Sequence, residues 1–221
     1  MTKVLVVAAH PDDEVLGVGG TIARHALAGD SVTTLILAEG VSARYGEDHH
    51  EVVRRQSQAA ADLLGVVELR QLNYPDQRLD ILPISELAAP IEAAINSVQP
   101  EIVYTQWGGD INRDHTLVAE ATVMASRPYA APSVHSIYLF ESASSGWGTS
   151  HFLHPSFNPS FFVDISETID IKVKAFGFYE QETRVFPHPR SPKAILGRAT
   201  HWGTQVGVNA AEAFVPVRVV K

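Results

Sequence analysis

The sequence predicts an α/β protein with a Rossmann-like, mostly parallel sheet and helices on both faces. In the first 140 residues, short β-branched runs alternate with amphipathic stretches of helical spacing, as expected for successive βαβ units. Lys3–Ala8 (KVLVVA) is a continuous apolar run, which is typical of a strand buried on both faces. Ile84–Val98 carries Leu87, Ile91 and Ile95 at helical spacing, which indicates an amphipathic helix.

The remaining elements follow in the same alternation. The predicted strands are Lys3–Ala8, Ser31–Leu37, Val66–Leu72, Glu101–Thr105 and Ser136–Phe140, and the predicted helices are Gly19–Leu27, Asp48–Leu64, Ile84–Val98 and Thr116–Ala125. Gly29 and Gly65 stand where two of these helices are expected to end.

The alternation fails after about residue 141. The later elements are a predicted loop over Ser142–Ser160, helices near Glu167–Tyr179 and Pro192–Trp202, and a strand near Ala213–Val220. We expect one domain over residues 1–221, with a core of about 1–140. Residues 141–221 are expected to form a C-terminal extension that closes a pocket.

Composition excludes several classes of function. The formal net charge is −8, and no basic stripe with interleaved aromatic residues occurs, which argues against nucleic-acid binding. The absence of cysteine excludes disulfides and thiolate ligands, so ten histidines and the carboxylates are the candidate metal ligands. No stretch approaches the roughly 20 apolar residues that span a bilayer, so we expect no membrane span and a cytoplasmic location.

A charged motif, His10-Pro-Asp-Asp-Glu14, follows the first strand directly. In open parallel sheets, ligands bind beyond the carboxyl ends of the strands. Capping of the next helix would explain one or two of the acids. It does not explain the histidine or the row of like charges, so a metal site is the competing interpretation.

A second polar cluster follows the fourth predicted strand and contains Asp110, Asn112, Asp114 and His115. The first and fourth strands are neighbours in a common doubly wound order, so the two clusters are expected to face each other.

His10, Asp13 and His115 would then supply two nitrogens and one oxygen, the three-ligand set of a catalytic zinc site. Asp12 lies beside the ligands and is the candidate general base. Asp114 is expected to hold a ligand ring from behind.

The first motif resembles that of the LmbE-like, or PIG-L, zinc N-deacetylases. Three other segments extend the resemblance over most of the chain: Tyr74-Pro-Asp-Gln-Arg-Leu-Asp80, Asp110-Ile-Asn-Arg-Asp-His115 and Phe186-Pro-His-Pro-Arg-Ser191. In that family the histidine and second aspartate of the first motif bind zinc with the final histidine of the second, and the first aspartate is the base. The resemblance thus implies the same ligand set and the same base, together with hydrolysis of an acetamide on an amino sugar.

Asn112 departs from the family pattern, because several members have a histidine there with an electrostatic or acid role. We therefore expect His188, in a Pro-rich segment, to stabilise the oxyanion or to protonate the leaving nitrogen. Arg55, Asp76, Asn112 and Arg190 are the predicted substrate-binding residues. A solvated helix charge is the alternative for Arg55, and turn formation is the alternative for Asp76.

The sequence therefore predicts one Zn²⁺ per chain, or a similar divalent transition ion, and a small N-acetylated amino sugar or its conjugate as substrate. The oligomeric state stays open, with a homo-oligomer as one alternative. A metal-dependent amidohydrolase or esterase acting on a non-sugar substrate is the rival enzyme. A nucleotide-binding module is disfavoured, because no G-x-G-x-x-G follows the first strand.

Overall fold

The computed structural model describes residues 1–41, 49–142 and 156–220 and is built around one seven-stranded sheet. The strands are β1 (Lys3–Ala8), β2 (Ser31–Ala38), β3 (Glu68–Tyr74), β4 (Ile102–Gln106), β5 (Ser136–Phe140), β6 (Phe161–Asp164) and β7 (Ala211–Val219). They lie in the order β3-β2-β1-β4-β5-β7-β6. The mostly parallel sheet that the alternation predicts is confirmed.

The site depends on the pairing of β1 with β4. β1 pairs in parallel with β2 on one side and with β4 on the other, and Val7 lies opposite Thr105. The chain therefore reverses its direction of winding between β1 and β4, where the loops that leave these two strands diverge. The predicted adjacency of the first and fourth strands is confirmed.

Helices cover both faces of the sheet. They are α1 (Asp13–Leu27), α2 (His50–Leu64), α3 (Ile84–Val98), α4 (Arg113–Ala125), α5 (Ile169–Phe176) and α6 (Pro192–Val206), with a short 3-10 helix at Leu79–Ile81. Apolar residues of α3 and α4 form one core with the sheet, and those of α1, α2 and α5 form the other. Among the described residues, no helix is both long enough and apolar enough to cross a membrane.

The C-terminal part of the chain continues the sheet. β7 runs antiparallel to β5, and β6 runs antiparallel to β7. Glu212 of β7 is buried, and its carboxylate accepts hydrogen bonds from the amides of Gly20 and Thr21 in α1 and from the Nζ of Lys172. This network fixes the C-terminal strands to the helix that follows the first motif.

Several predicted boundaries were wrong. β6 was not predicted, and most of the loop predicted before it, residues 143–155, lies outside the described residues. α2 begins at His50, and Asp48, its predicted first residue, also lies outside them. α4 begins at Arg113 rather than at Thr116.

α1 begins at Asp13, six residues before its predicted start at Gly19. Three glycines in its first half lower the helical propensity of this segment. Close packing requires two of them. A Cβ atom at Gly17 would lie 2.0 Å from the Phe140 ring, and one at Gly20 would lie 2.7 Å from Ile165.

Candidate metal centre and active site

Three buried donor atoms converge where the loops after β1 and β4 meet. His10 Nδ1 lies 3.1 Å from Asp13 Oδ2 and 3.3 Å from His115 Nε2, and His115 Nε2 lies 3.2 Å from Asp13 Oδ2. In a tetrahedral site with zinc–ligand bonds of about 2.0 Å, the donor atoms are about 3.3 Å apart. The three atoms therefore fit one face of such a tetrahedron, with a fourth position left for water or substrate.

Each ligand ring is held from behind by a carboxylate. Asp114 Oδ2 lies 3.0 Å from His10 Nε2, and Asp110 Oδ2 lies 2.8 Å from His115 Nδ1. A carboxylate in this position fixes the tautomer, so that the other ring nitrogen presents its lone pair to the metal. The predicted role of Asp114 as a support behind a ligand agrees with this geometry, and Asp110 has the equivalent position behind His115.

A second group of potential ligands shares His10. Its Nε2 lies 3.3 Å from Asp76 Oδ1, so His10, Asp76 and Asp114 could also hold an ion. One metal at the first group would account for both, because His10 belongs to each of them. If Nδ1 bound the ion, Nε2 would carry a proton and donate it to Asp114 Oδ2, with the Asp76 carboxylate as a nearby negative charge.

Asp13 has a further partner that the sequence did not reveal. Gln106, the last residue of β4, donates from Nε2 to Asp13 Oδ2 over 2.9 Å, and the amide of His10 donates to the same oxygen over 3.0 Å. A polar residue at the carboxyl end of β4 was the available signal, because ligands gather at that edge of the sheet.

The carboxylates around His10 and His115 favour positive charge on the two rings. Burial opposes protonation of His10, but hydrogen bonds to Asp114 and Asp13 outweigh it and raise the pKa of His10 to about 10. Burial likewise opposes protonation of His115, while the charge of Asp13 and the hydrogen bond to Asp110 raise its pKa to about 9. Both rings are drawn towards a cationic state, and a divalent cation would satisfy the same carboxylates.

Asp12 lies beside the ligand triangle and faces the pocket. Burial raises the pKa of its carboxyl to about 7, although the Arg190 guanidinium opposes the shift. Arg190 Nη1 lies 3.3 Å from Asp12 Oδ2 and also contacts Glu182. A carboxyl group whose pKa lies near neutrality suits a general base.

His10, Asp12 and His115 line a pocket of about 280 Å³. The predicted site residues on its wall are His10, Asp12, Asp76, Asn112, His115, His188 and Arg190. Glu182, Arg184, His188 and Arg190 come from the C-terminal extension, so the predicted closure of the pocket by that extension is confirmed. Gln77, Glu182 and Arg184 were not predicted.

Arg55 lies away from the pocket, whereas Arg190 lines it. Arg55 is exposed on α2 and does not line the pocket, and its Nε donates to the carbonyl of Glu51. Helical periodicity gives only the face on which a residue lies, and this face of α2 points to solvent. Arg190 does line the pocket, but its guanidinium contacts the Asp12 carboxylate.

Asn112 and His188 present hydrogen-bond donors at the pocket wall. Asn112 caps α4, because its Oδ1 accepts from the amide of Asp114 over 3.0 Å, which leaves Nδ2 to donate elsewhere. The amide of Arg190 donates to His188 Nδ1 over 3.1 Å. This bond requires an unprotonated Nδ1, so the neutral ring carries its proton on Nε2.

A protein-family match and a sequence relative both connect this chain to deacetylases. Residues 5–126 match the GlcNAc-PI de-N-acetylase family, PIG-L. The chain is 27% identical over 195 residues to a probable N-acetyl-α-D-glucosaminyl L-malate deacetylase 2 of Bacillus cereus, a match that covers 81% of this chain and 83% of the relative.

Two solved structures share the fold over the whole chain. The conserved protein TT1542 of Thermus thermophilus superimposes with a TM-score of 0.81 at 30% identity and covers 100% of this chain and 97% of its own. The 4-carboxy-2-hydroxymuconate hydratase of Pseudomonas putida KT2440 superimposes with a TM-score of 0.75 at 25% identity, covering 100% and 99%.

Proposed function

We propose, from the premise that this chain belongs to the GlcNAc-PI de-N-acetylase (PIG-L) family, that it removes the acetyl group from an N-acetylated amino sugar with the help of one Zn²⁺. The triangle of donor atoms from His10, Asp13 and His115 carries this proposal. Its edges of 3.1–3.3 Å suit a tetrahedral ion, and two of its three residues, His10 and His115, line the pocket.

The chain supplies a ligand set suited to catalysis. Two neutral imidazoles and one carboxylate would leave a net positive centre when a divalent ion is bound. Such an ion would polarise the acetyl carbonyl and lower the pKa of a bound water.

Asp12 is the proposed general base. As water adds to the acetyl carbon, the Asp12 carboxylate accepts a proton from that water, and the carbonyl oxygen gains the negative charge of a tetrahedral intermediate. The C–N bond then breaks, and a proton passes from Asp12 or a second acid to the departing nitrogen. The products are acetate and the free amine of the sugar.

The oxyanion has two candidate hydrogen-bond donors in addition to a metal. Asn112 offers its Nδ2, and His188 offers its Nε2–H. Because His188 Nδ1 is occupied as an acceptor, the geometry favours donation of a hydrogen bond by a neutral ring over delivery of a proton by a charged one.

The pocket wall also suits a hydroxylated substrate. Asp76 is fixed through its amide, which donates to Glu39 Oε1 over 3.2 Å. Its carboxylate and the neighbouring amide of Gln77 reach the pocket and can bind sugar hydroxyl groups. Asp76 is therefore a proposed substrate contact.

The proposal is tested by amine release from a panel of acetamides. N-Acetylglucosamine, its glycosides, N,N'-diacetylchitobiose and sugar nucleotides are compared with non-sugar acetamides and with acetate esters. We expect turnover of at least one sugar acetamide, its loss on chelation and its return with Zn²⁺. Turnover of non-sugar amides or esters alone would support the rival amidohydrolase or esterase.

A second candidate follows from the likeness to the hydratase of Pseudomonas putida. The same base could activate water for addition to the carbon–carbon double bond of an unsaturated acid. Loss of the ultraviolet absorbance of a conjugated hydroxymuconate, without activity on any acetamide, would favour this reaction.

A further inference from the structure

Glu14 is the acidic residue of the first motif that the proposed mechanism does not use. Its side chain is buried, with 4% of the residue exposed. Glu14 Oε2 accepts a hydrogen bond from the amide of Asp12 over 3.0 Å, and Glu14 Oε1 accepts one from the hydroxyl of Tyr179 over 2.6 Å. Both oxygens of a buried carboxyl group are therefore committed to fixed partners.

The backbone of Asp12 needs this support. Asp12 has φ 105° and ψ −29°, in the left-handed region that residues with a side chain rarely adopt. Its carbonyl is already used at the start of α1, where it accepts from the amides of Val15 and Leu16. Its buried amide requires an acceptor of its own, and Glu14 Oε2 supplies it.

Tyr179 connects this arrangement to the C-terminal extension. It lies just after α5, and only 2% of the residue is exposed. The hydroxyl of Tyr179 donates to Glu14 Oε1 and thereby fixes the rotamer of Glu14. In this rotamer Glu14 Oε2 points to the Asp12 amide. The conformation of Asp12 thus depends on a residue 167 positions away in the sequence.

We propose that Glu14 and Tyr179 are positioning residues for Asp12. They hold the loop in the one backbone conformation that directs the Asp12 carboxylate into the pocket. This inference rests on the proposed role of Asp12 as general base. It assigns Glu14 neither to the metal nor to the substrate.

The test compares Glu14→Ala, Glu14→Gln and Tyr179→Phe in the full-length, zinc-loaded protein, with kcat, KM, metal content and thermal unfolding measured for each. Glu14→Ala should lower kcat about 10²-fold, since small misplacements of a catalytic group cost this much. KM and metal content should change less than about twofold, because neither ligand nor substrate contacts are removed. Glu14→Gln should recover most of kcat, since its amide oxygen can accept from the Asp12 amide.

Tyr179→Phe should lower kcat about three- to tenfold, because Glu14 keeps the bond to Asp12 but loses its own anchor. Tyr104→Phe is the matched control. The hydroxyl of this buried tyrosine lies 3.2 Å from His25 Nε2, so its removal should leave kcat unchanged.

The other possible outcomes distinguish failure of this inference from failure of the proposed function. Full kcat in Tyr179→Phe and Glu14→Ala, with turnover lost in Asp12→Asn, would overturn the inference but keep the proposed function. Metal loss in parallel with kcat, without recovery by Glu14→Gln, would show a general structural role and also overturn it. Full turnover in Asp12→Asn would instead refute the proposed base. If Glu14→Ala does not fold, Glu14→Gln and Tyr179→Phe still provide the test.

Discussion

His10 Nε2 lies 3.0 Å from Asp114 Oδ2, although 104 positions separate the two residues in the chain. The second oxygen of Asp114 accepts from the amide of Leu79 over 3.1 Å, so the carboxylate cannot rotate freely. The ring of His10 is therefore fixed with Nδ1 towards Asp13 and His115. This relationship determines which ring nitrogen can bind a metal.

Asp114→Asn should weaken zinc binding about 10- to 100-fold, the usual effect of losing a carboxylate behind a histidine ligand. Competition with a chromophoric chelator measures the affinity. Asp30→Asn is the matched control, because Asp30 contacts His25 Nδ1 over 2.8 Å outside the site. Equal affinities for both variants would show that Asp114 does not orient the ligand.

His10→Ala, Asp13→Ala and His115→Ala should each lose most of the bound metal, since two ligands hold a zinc ion far more weakly than three. Elemental analysis of the purified proteins gives the content, which is expected to be about one ion per chain in the unmodified protein. His25→Ala should keep its metal. Full occupancy in two of the three ligand variants would rule out this ligand set.

Zinc affinity should fall as the pH decreases. Without metal, the pKa of His10 is about 10, so its ring is protonated at neutral pH and must lose that proton before it can bind. Below this pKa, each released proton changes the dissociation constant about tenfold per pH unit. Calorimetric titrations between pH 6 and 8 in buffers of different ionisation enthalpy measure both effects, and a constant affinity would contradict them.

Asp12→Asn should keep its metal and lose about 10²- to 10⁴-fold in turnover, the usual contribution of a positioned acid or base. The asparagine amide has nearly the shape of the carboxylate but cannot accept the proton of water. Metal content and kcat are measured on the same preparation. If turnover stays near normal while the metal is retained, another group accepts the proton.

His188→Ala should lower kcat about 10²- to 10³-fold, the cost of one oxyanion donor, with a smaller change in KM because the contact strengthens in the transition state. His201→Ala, at an exposed position on α6, is the control. A raised KM with unchanged kcat would make His188 a substrate contact and leave the oxyanion to Asn112 and the metal.

The periodicity of apolar residues in the sequence explains why most of the fold could be predicted. β1, α3 and β5 have the predicted bounds, because their apolar patterns are uninterrupted. The start of α1 was missed, since its glycines are needed for tertiary packing that local propensity does not include. β6 is four residues long, and the sequence before it has no periodicity, so its pattern gave no signal.

Loop composition predicted which residues gather at the site, but not which of their atoms meet. His10, Asp13 and His115 converge because both loops leave adjacent parallel strands. The contact of Arg190 with Asp12 depends on the path of a long loop, which the sequence pattern does not specify. The cytoplasmic location, self-association and a single domain over residues 1–221 stay predictions from the sequence.

Gly17 lies so close to Phe140 that the geometry of the site depends on a residue that has no side chain. Even one added methyl group would force the ring aside or lift α1 from β5. Asp13 begins the same helix, one turn earlier, so a displacement of α1 would move its oxygen away from the other two donor atoms. In a mutational screen scored by turnover alone, substitutions at Gly17 would be counted among catalytic losses, and metal content measured in parallel would reveal their steric origin.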